Sequence, residues 1–382
     1  MRLQYLNDEQ RNIVRLIKEF TEKEIKPHAG KWDEEERFPR DVFTKMSELG
    51  LSGISCQEEY GGSYLDYLTK VIVFEELSKG CAAMAATLSV HIMVAYIIEK
   101  YGSEDMKRKY LPRINRGELL CAYALTEANA GSDAAALETR AVSDNDRYIL
   151  NGNKIFNTSA GEAEIYFVMA KTDKTKGAKG ITAFLVEKGN PGLAFGKKEK
   201  KMGFSASVTG ELILTDCIVS QEAVVGSVGE GFRYAMQTLD YGRVNISAMA
   251  VGLAQSALDY ALAYAKTRVQ FGKPIASFQG IQFMLADMAT EIEAGRALTY
   301  HAAQLLDKNA SPREVTLAAA MAKKFTTDTA MKVTTDAVQI LGGYGCMKEY
   351  PVERYMRAAK ILQIVEGTNQ IQRVIIAREL LA

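Results

Sequence analysis

Apolar positions along the chain follow two periods, and the switches between them divide it into three parts. The first part is helical. Ile13, Val14, Leu16, Ile17 and Phe20 recur at helical spacing behind Asn7, Asp8, Glu9 and Gln10, a polar run of the kind that starts a helix. Residues 39–49 predict another helix, closed by Gly50. After a glycine-containing turn at 58–63, longer helical patterns cover 65–100 and 103–116. Near Leu120 the texture changes. Short β-rich runs at 148–150, 165–170, 181–186 and 211–214 are separated by Gly, Asn and Asp signals, Asn151-Gly152 among them. From Gly229 helical spacing returns in longer runs, at 232–266, 278–308 and 312–341, followed by a C-terminal pair. Ser311 and Pro312 start one of these helices, and Gly342-Gly343 end it.

The pattern predicts an α+β fold in three domains. These are an N-terminal all-α domain (1–121), a middle antiparallel β-sandwich or barrel (122–228) and a C-terminal four-helix bundle (229–382). No αβ alternation and no GxGxxG motif occur, which argues against a doubly wound sheet and its dinucleotide site. Residues 81–98 come near the length of a membrane span. They are Ala-rich and contain Thr87, Ser89 and His91, so a helix buried on all sides is the better reading.

The C-terminal pair carries the first candidate chemistry. Val352, Tyr355, Met356, Ala359, Ile361, Leu362 and Ile364 keep helical spacing until Glu366-Gly367-Thr368, and a second run starts at Ile371. Glu366 thus sits at a break, behind Ile364 and Val365 and before a glycine that lets another molecule approach the backbone. A carboxylate in apolar surroundings holds its proton more tightly and can act as a base near neutral pH. Acids are also common decoration at helix ends, and this segment alone leaves both readings open.

Composition narrows the classes. With 47 basic and 47 acidic residues the net charge is zero, so no basic face for nucleic acid is expected. Cys56, Cys81, Cys121, Cys217 and Cys346 form no CxxC pair and read as thiols of a reducing compartment. His28, His91 and His301 lie too far apart in sequence for a His-rich metal site, and no metal is expected. There is no GxSxG elbow. The polar, acidic N-terminus resembles neither a signal nor a transit peptide. The expected setting is cytoplasmic without a membrane partner, a mature mitochondrial matrix form being compatible.

The segment 350–373 resembles the C-terminal signature of acyl-CoA dehydrogenases, flavoenzymes that desaturate acyl-CoA thioesters between Cα and Cβ. Residues 123–133, 268–274 with Gln279 beyond, and 339–345 match further blocks of that family in the same order. The likeness spans essentially the whole chain and is closest in motif to short-chain, or butyryl-CoA, members. It implies FAD as cofactor, Glu366 as the base that takes the α-proton, and hydride transfer from Cβ to flavin N5. Flavin contacts are implied at Tyr123, Leu125, Thr126, Gly131, Ser132, Phe156 and Thr158. Arg268 and Phe271 resemble residues that reach a neighbouring subunit's flavin, with Gln279 in the same block. Gln339 and Gly343 resemble residues near the adenosine end, and Thr368 and Gln370 match further flavin contacts. A shared site implies an oligomer, a homotetramer built as a dimer of dimers.

For the substrate, Asp240 and Arg243 resemble CoA contacts, Ser132 adds a hydroxyl, and Val365 and Gly367 flank the base. In some relatives the base comes instead from the helix after Gly229. Gly242 stands at that position here, so Glu366 is the one candidate. Two residues depart from the usual pattern. Phe156 replaces a common Trp, and Val365 replaces a common Tyr, which makes branched, cyclic or aromatic-substituted acyl groups plausible beside short ones. The implied partner is an electron-transferring flavoprotein. The competitors are an enoyl-CoA reductase, an oxidase and a non-catalytic helical scaffold. The compact length opposes the oxidase, and retention of Glu366, Gly131, Ser132 and Arg268 opposes the scaffold.

Overall fold

The computed structural model describes residues 6–381. Helix α1 (Asp8–Phe20) opens with a capping box: Asn7 Oδ1 accepts the Gln10 N–H at 2.8 Å, and Gln10 Oε1 accepts the Asn7 N–H at 3.2 Å. Helices α2 (Ala29–Glu34) and α3 (Arg40–Glu48) follow, and Gly50 ends the latter in left-handed backbone, φ 80°. The long α4 (Tyr67–Tyr101) starts on an Asp66 cap, and α5 (Glu104–Asn115) on a Ser103 cap. The expected continuous pattern of α4 breaks at Cys81, φ −155° and ψ 105°. The neighbouring Gly80 is pressed against the chain after α1; a Cβ there would lie 2.7 Å from Thr21 Cγ2. The most apolar window of α4 is 83% buried, so this helix belongs to the core, as expected.

The middle region forms one seven-stranded sheet. Its strands are β1 (Cys121–Ala124), β2 (Arg140–Asp144), β3 (Arg147–Thr158), β4 (Ile165–Lys171), β5 (Ile181–Glu187), β6 (Leu193–Lys198) and β7 (Thr209–Ser220). They lie in the order β1-β4-β2-β3-β7-β6, with β5 also paired to β4. Most pairs are antiparallel. The purely antiparallel expectation is corrected at β4, which β1 and β2 meet in parallel, Cys121 opposite Ile165 and Arg140 opposite Lys171. Long connections separate these partners in sequence, as parallel pairing requires. Asn151-Gly152 is not a turn either. Strand β3 runs through it with a bulge, because Gly152 at φ 149° lets Thr139 approach where a Cβ would be 2.5 Å from its hydroxyl.

The C-terminal region comprises α6 (Gly231–Thr267), a small hairpin of β8 (Val269–Gln270) and β9 (Lys273–Pro274), α7 (Gln279–Asp307), α8 (Pro312–Leu341), α9 (Pro351–Leu362) and α10 (Asn369–Leu381). Helices α6, α7 and α8 pack on one another, with α9 and α10 along α8. Helix α4 lies along α6 and touches α7. A buried ion pair ties them: Arg296 of α7 meets Glu75 of α4 at 3.2 Å. The helices of the two ends therefore share one core, to which the sheet contributes side chains such as Tyr148, Tyr166 and Phe184.

Candidate active site

The loop between α9 and α10 turns on two successive left-handed residues, Glu366 at φ 53° and Gly367 at φ 91°. Glycine adopts that backbone freely, but glutamate does so only where the surroundings hold it, at a cost of about 1 kcal/mol or more. Three carbonyls of the loop are held. Gln363 O accepts Lys323 Nζ at 3.2 Å, and Gly367 O accepts Lys323 Nζ at 2.8 Å and Gln372 Nε2 at 2.9 Å. Glu366 O accepts Gln372 Nε2 at 3.3 Å and Arg243 Nε at 3.4 Å. Among the described residues, the Glu366 N–H has no backbone acceptor.

The Glu366 side chain points inward. Its Oε2 is buried without a hydrogen-bond partner. Burial pushes its pKa up to about 7, against the opposing charges of Arg243 and Lys323. The carboxylate lies against Gly242 of α6: a Cβ there would sit 2.0 Å from Oε2 and 2.9 Å from Met93 Sδ. Gly242 is thus the wall on which the Glu366 carboxylate rests. Tyr123 Oη is likewise buried and unpartnered. Burial first, then the nearby Glu366 charge, raises its pKa. Two orphaned polar atoms within electrostatic reach of each other mark a space that wants a polar guest.

Arg243 is buried, with Nη1 2.6 Å from Asp240 Oδ1, and Thr316 Oγ1 donates to Asp240 Oδ2 at 2.7 Å. His91 does not serve the site. It is fully buried, accepts the Cys121 N–H at Nδ1 and meets the Phe43 ring edge-on. Burial lowers its pKa to about 4, so it is a neutral core histidine. Behind Met93 lies a cavity of about 20 Å³ lined by Tyr67, Tyr96, Tyr241 and Asn245, room for one water.

The other sequence-derived positions fall into two groups. Tyr123, Leu125 and Thr126 lie on and just after β1, where Leu125 O accepts Lys154 Nζ at 3.1 Å and Thr126 O accepts the Ile155 N–H at 2.9 Å. Gly131 and Ser132 are exposed beyond a tight turn that bridges Glu127 and Ala130, with open space around the Gly131 Cα. Phe156 is 61% exposed on a β3 bulge, at φ 57°, and Thr158 ends that strand opposite Thr209. Val365 is half-buried beside Glu366, Thr368 Oγ1 accepts the Ile371 N–H, and Gln370 is exposed. The second group lies far off. From Arg243 to Arg268 helix α6 runs roughly 37 Å, at about 1.5 Å per residue. There Arg268 stacks over Tyr344 at 5.4 Å, and both line a cleft of about 570 Å³ with Gly343. Phe271, at φ 51°, is 92% exposed at the hairpin tip, and Gln279 and Gln339 are exposed.

Sequence reading missed Lys154, Glu127, Lys323, Asn369 and Gln372, which hold these loops. Lys323 carried a signal: it falls on the helical stripe of Ala319, Ala322, Thr326, Ala330 and Val333, all buried.

Comparison with known proteins agrees with this arrangement. Residues 7–118, 122–217 and 229–381 match the acyl-CoA dehydrogenase N-terminal, middle and C-terminal domain families. An acyl-CoA dehydrogenase described as short-chain specific, from Clostridium acetobutylicum, is 46% identical over 97% of this chain and 98% of its own. Acryloyl-CoA reductase (NADH) of Anaerotignum propionicum is 46% identical over 98% of this chain and 95% of its own. A chain in a solved structure of the electron transferring flavoprotein of Acidaminococcus fermentans, described in connection with flavin-based electron bifurcation, superposes with TM-score 0.96 at 50% identity, covering 98% of each chain. The chain belongs to the acyl-CoA dehydrogenase family, whose members are FAD-dependent enzymes.

Proposed function

We propose that this protein removes hydrogen from Cα and Cβ of a short acyl-CoA thioester, with Glu366 as the base. One observation carries the reading: Glu366 Oε2 is buried without a hydrogen-bond partner, on a left-handed backbone beside Gly242. With a pKa of about 7 it is partly ionised at neutral pH and accepts a proton without a large penalty. The α-proton passes to Glu366 while the thioester oxygen gains negative charge. The Glu366 N–H, which has no backbone acceptor among the described residues, is placed to donate to that oxygen. Arg243, neutralised by Asp240, offers a polar wall toward the CoA portion.

The residues present fit a flavin. Tyr123 Oη lacks a partner, the 130–133 turn is open to an anion, and Phe156 turns an exposed ring outward. Tyr123, Leu125, Thr126, Gly131, Ser132, Phe156, Thr158, Thr368 and Gln370 would hold it from one protomer. When bound, FAD supplies the acceptor for the hydride leaving Cβ. Arg268 caps the far end of α6 and shares a cleft with Gly343, too far from Glu366 to serve the same flavin from the same protomer; with Phe271, Gln279 and Gln339 it supports an oligomer that shares its sites, a homotetramer. Electrons leave to an electron-transferring flavoprotein, a partner supported by the Acidaminococcus match. The bacterial relatives favour a cytoplasmic setting.

The reverse reaction, reduction of a 2-enoyl-CoA with Glu366 as proton donor, is favoured by the acryloyl-CoA reductase relative. Anaerobic titration of the flavin-loaded protein with saturated acyl-CoAs separates the two. Bleaching of the visible flavin band by C3–C5 acyl-CoAs supports dehydrogenation. An unchanged band with those substrates, together with reoxidation of chemically reduced protein by short enoyl-CoAs, supports reduction. Neither change overturns both.

A further inference from the structure

The loop that carries Glu366 is organised around a cation that the proposed reaction does not use. Lys323 of α8 is fully buried, and such a lysine is ordinarily matched by a carboxylate. Instead its ammonium makes three hydrogen bonds that all end on this loop or its exit: Gln363 O at 3.2 Å, Gly367 O at 2.8 Å and Asn369 Oδ1 at 3.0 Å. The first two bracket Glu366 in sequence. The third joins a small network, since Asn369 Nδ2 donates to Thr327 Oγ1 at 2.9 Å and to Asp328 Oδ1 at 2.7 Å. Among the described residues no carboxylate oxygen forms an ion pair with Lys323. The nearest use of its charge is the field it places on Glu366.

We propose that Lys323 is a positioning residue for the base: it pins the carbonyls on both sides of Glu366, fixing the left-handed turn that aims the carboxylate past Gly242, and its charge stabilises the ionised carboxylate. The inference rests on the reading of Glu366 as the base. The groups that face the carboxylate are Arg243, with Asp240 behind it, from α6, Lys323 and the more distant Asp328 from α8, and the Tyr123 hydroxyl from β1. Arg243 is already matched by Asp240 at 2.6 Å, whereas Lys323 carries no such counter-charge. The Lys323 amine is itself brought down to about 7 by burial, partly offset by Glu366. Each charge favours the other, so a protonated Lys323 holds Glu366 in its ionised, proton-accepting form.

The test is the pH dependence of kcat and KM in Lys323→Met and Lys323→Gln, beside Glu366→Gln, all in flavin-loaded protein. Lys323→Met should lower kcat by about 100-fold with KM for acyl-CoA changed less than threefold. Its acid limb of kcat/KM should move up by about one pH unit. Lys323→Gln keeps a donor to the loop but not the charge. It should recover much of kcat while leaving the acid limb displaced, and it stands in if the Met variant does not fold. An acid limb at its wild-type position in Lys323→Gln overturns the electrostatic part. Wild-type kcat in Lys323→Met overturns the positioning part. If Glu366→Gln itself turns over normally, the base assignment has failed instead, and the two failures are told apart.

Discussion

Two glutamates that turn a carboxylate inward, each near a buried lysine, are held in opposite ways. In the middle domain Glu127 lies 2.6 Å from Lys154 Nζ and accepts the N–H groups of Glu138 and Thr139. Burial would raise its pKa, but the Lys154 charge and hydrogen bond outweigh that and leave it lowered. In the C-terminal region Glu366 has Lys323 nearby but no hydrogen bond to Oε2, and burial wins. The difference is where the lysine spends its donors. Lys154 gives one to its carboxylate and one to Leu125 O, so that pair fastens the segment proposed to hold the flavin. Lys323 gives all three to the Glu366 loop and its exit, leaving Glu366 Oε2 without a hydrogen bond. The saturated pair suits a scaffold, and the unsaturated carboxylate suits the role of base proposed for it.

The sharpest way to break the contrast is to saturate the base or open the scaffold. Gly242→Ala brings a methyl into the space of the Glu366 carboxylate. A shift of about 1 Å at a catalytic group costs on the order of 100-fold. We expect kcat to fall at least that far with flavin content unchanged, as read from the visible spectrum and steady-state rates. Lys154→Met should act the other way round. Leaving Glu127 buried and unpaired costs roughly 3 kcal/mol or more. Thermal unfolding should shift down and bound flavin should be lost, while the flavin-loaded fraction keeps its acid limb. A Lys154→Met protein of normal stability would show that the pair is not the fastening described here.

The outlines of this contrast were legible in the sequence, and its agents were not. The three-part helix–sheet–helix order followed from apolar period alone, and the break at Glu366-Gly367 stood out because Gly367 interrupts two helical patterns. Gly242 was read as an absent base; that it makes room for Glu366 depends on α6 passing the α9–α10 loop, a contact no local pattern records. The buried lysines were hidden for a similar reason. Lys323 stands next to Lys324 in a run that reads as a solvated helix face, and only its match to the Ala319–Ala330 stripe told it apart. Lys154 lies in phase with the buried Tyr148 and Leu150, but the Gly152 bulge between them obscures the alternation. Tertiary partners decide which lysines are buried, because only a ring of acceptors makes burial affordable.

Titration sharpens the comparison through stability. Glu366 has a folded-state pKa of about 7 against an ordinary value of 4.5. Between those values the folded protein binds a proton that the unfolded chain has released, so this group's contribution falls as pH rises through that window. Glu127, with its pKa lowered, contributes stability that is present above the ordinary carboxylate range and is lost as pH falls through its folded value. Wild-type minus Glu366→Gln stability, measured by denaturant midpoint, should therefore decline from pH 4.5 to pH 7. A flat difference would mean that Glu366 is not perturbed in the folded state.

The smallest effect is expected at Val365, which borders Glu366 and, among the described residues, is hydrogen-bonded only through its backbone N–H, to Ile361 O at 3.1 Å. Val365→Tyr adds a ring beside Glu366 without touching the loop's held carbonyls. If position 365 shapes the acyl space, the variant should favour linear C3–C4 acyl-CoAs over branched ones by roughly 10-fold in kcat/KM, the range that one or two methylenes command in an apolar pocket. Its kcat on the best linear substrate and its acid limb should stay within about twofold of wild type, since the base and its lysine are unchanged. An unaltered preference would place the acyl group elsewhere, along Met93 and the tyrosines behind it, and the cavity of about 20 Å³ there would become the position to enlarge.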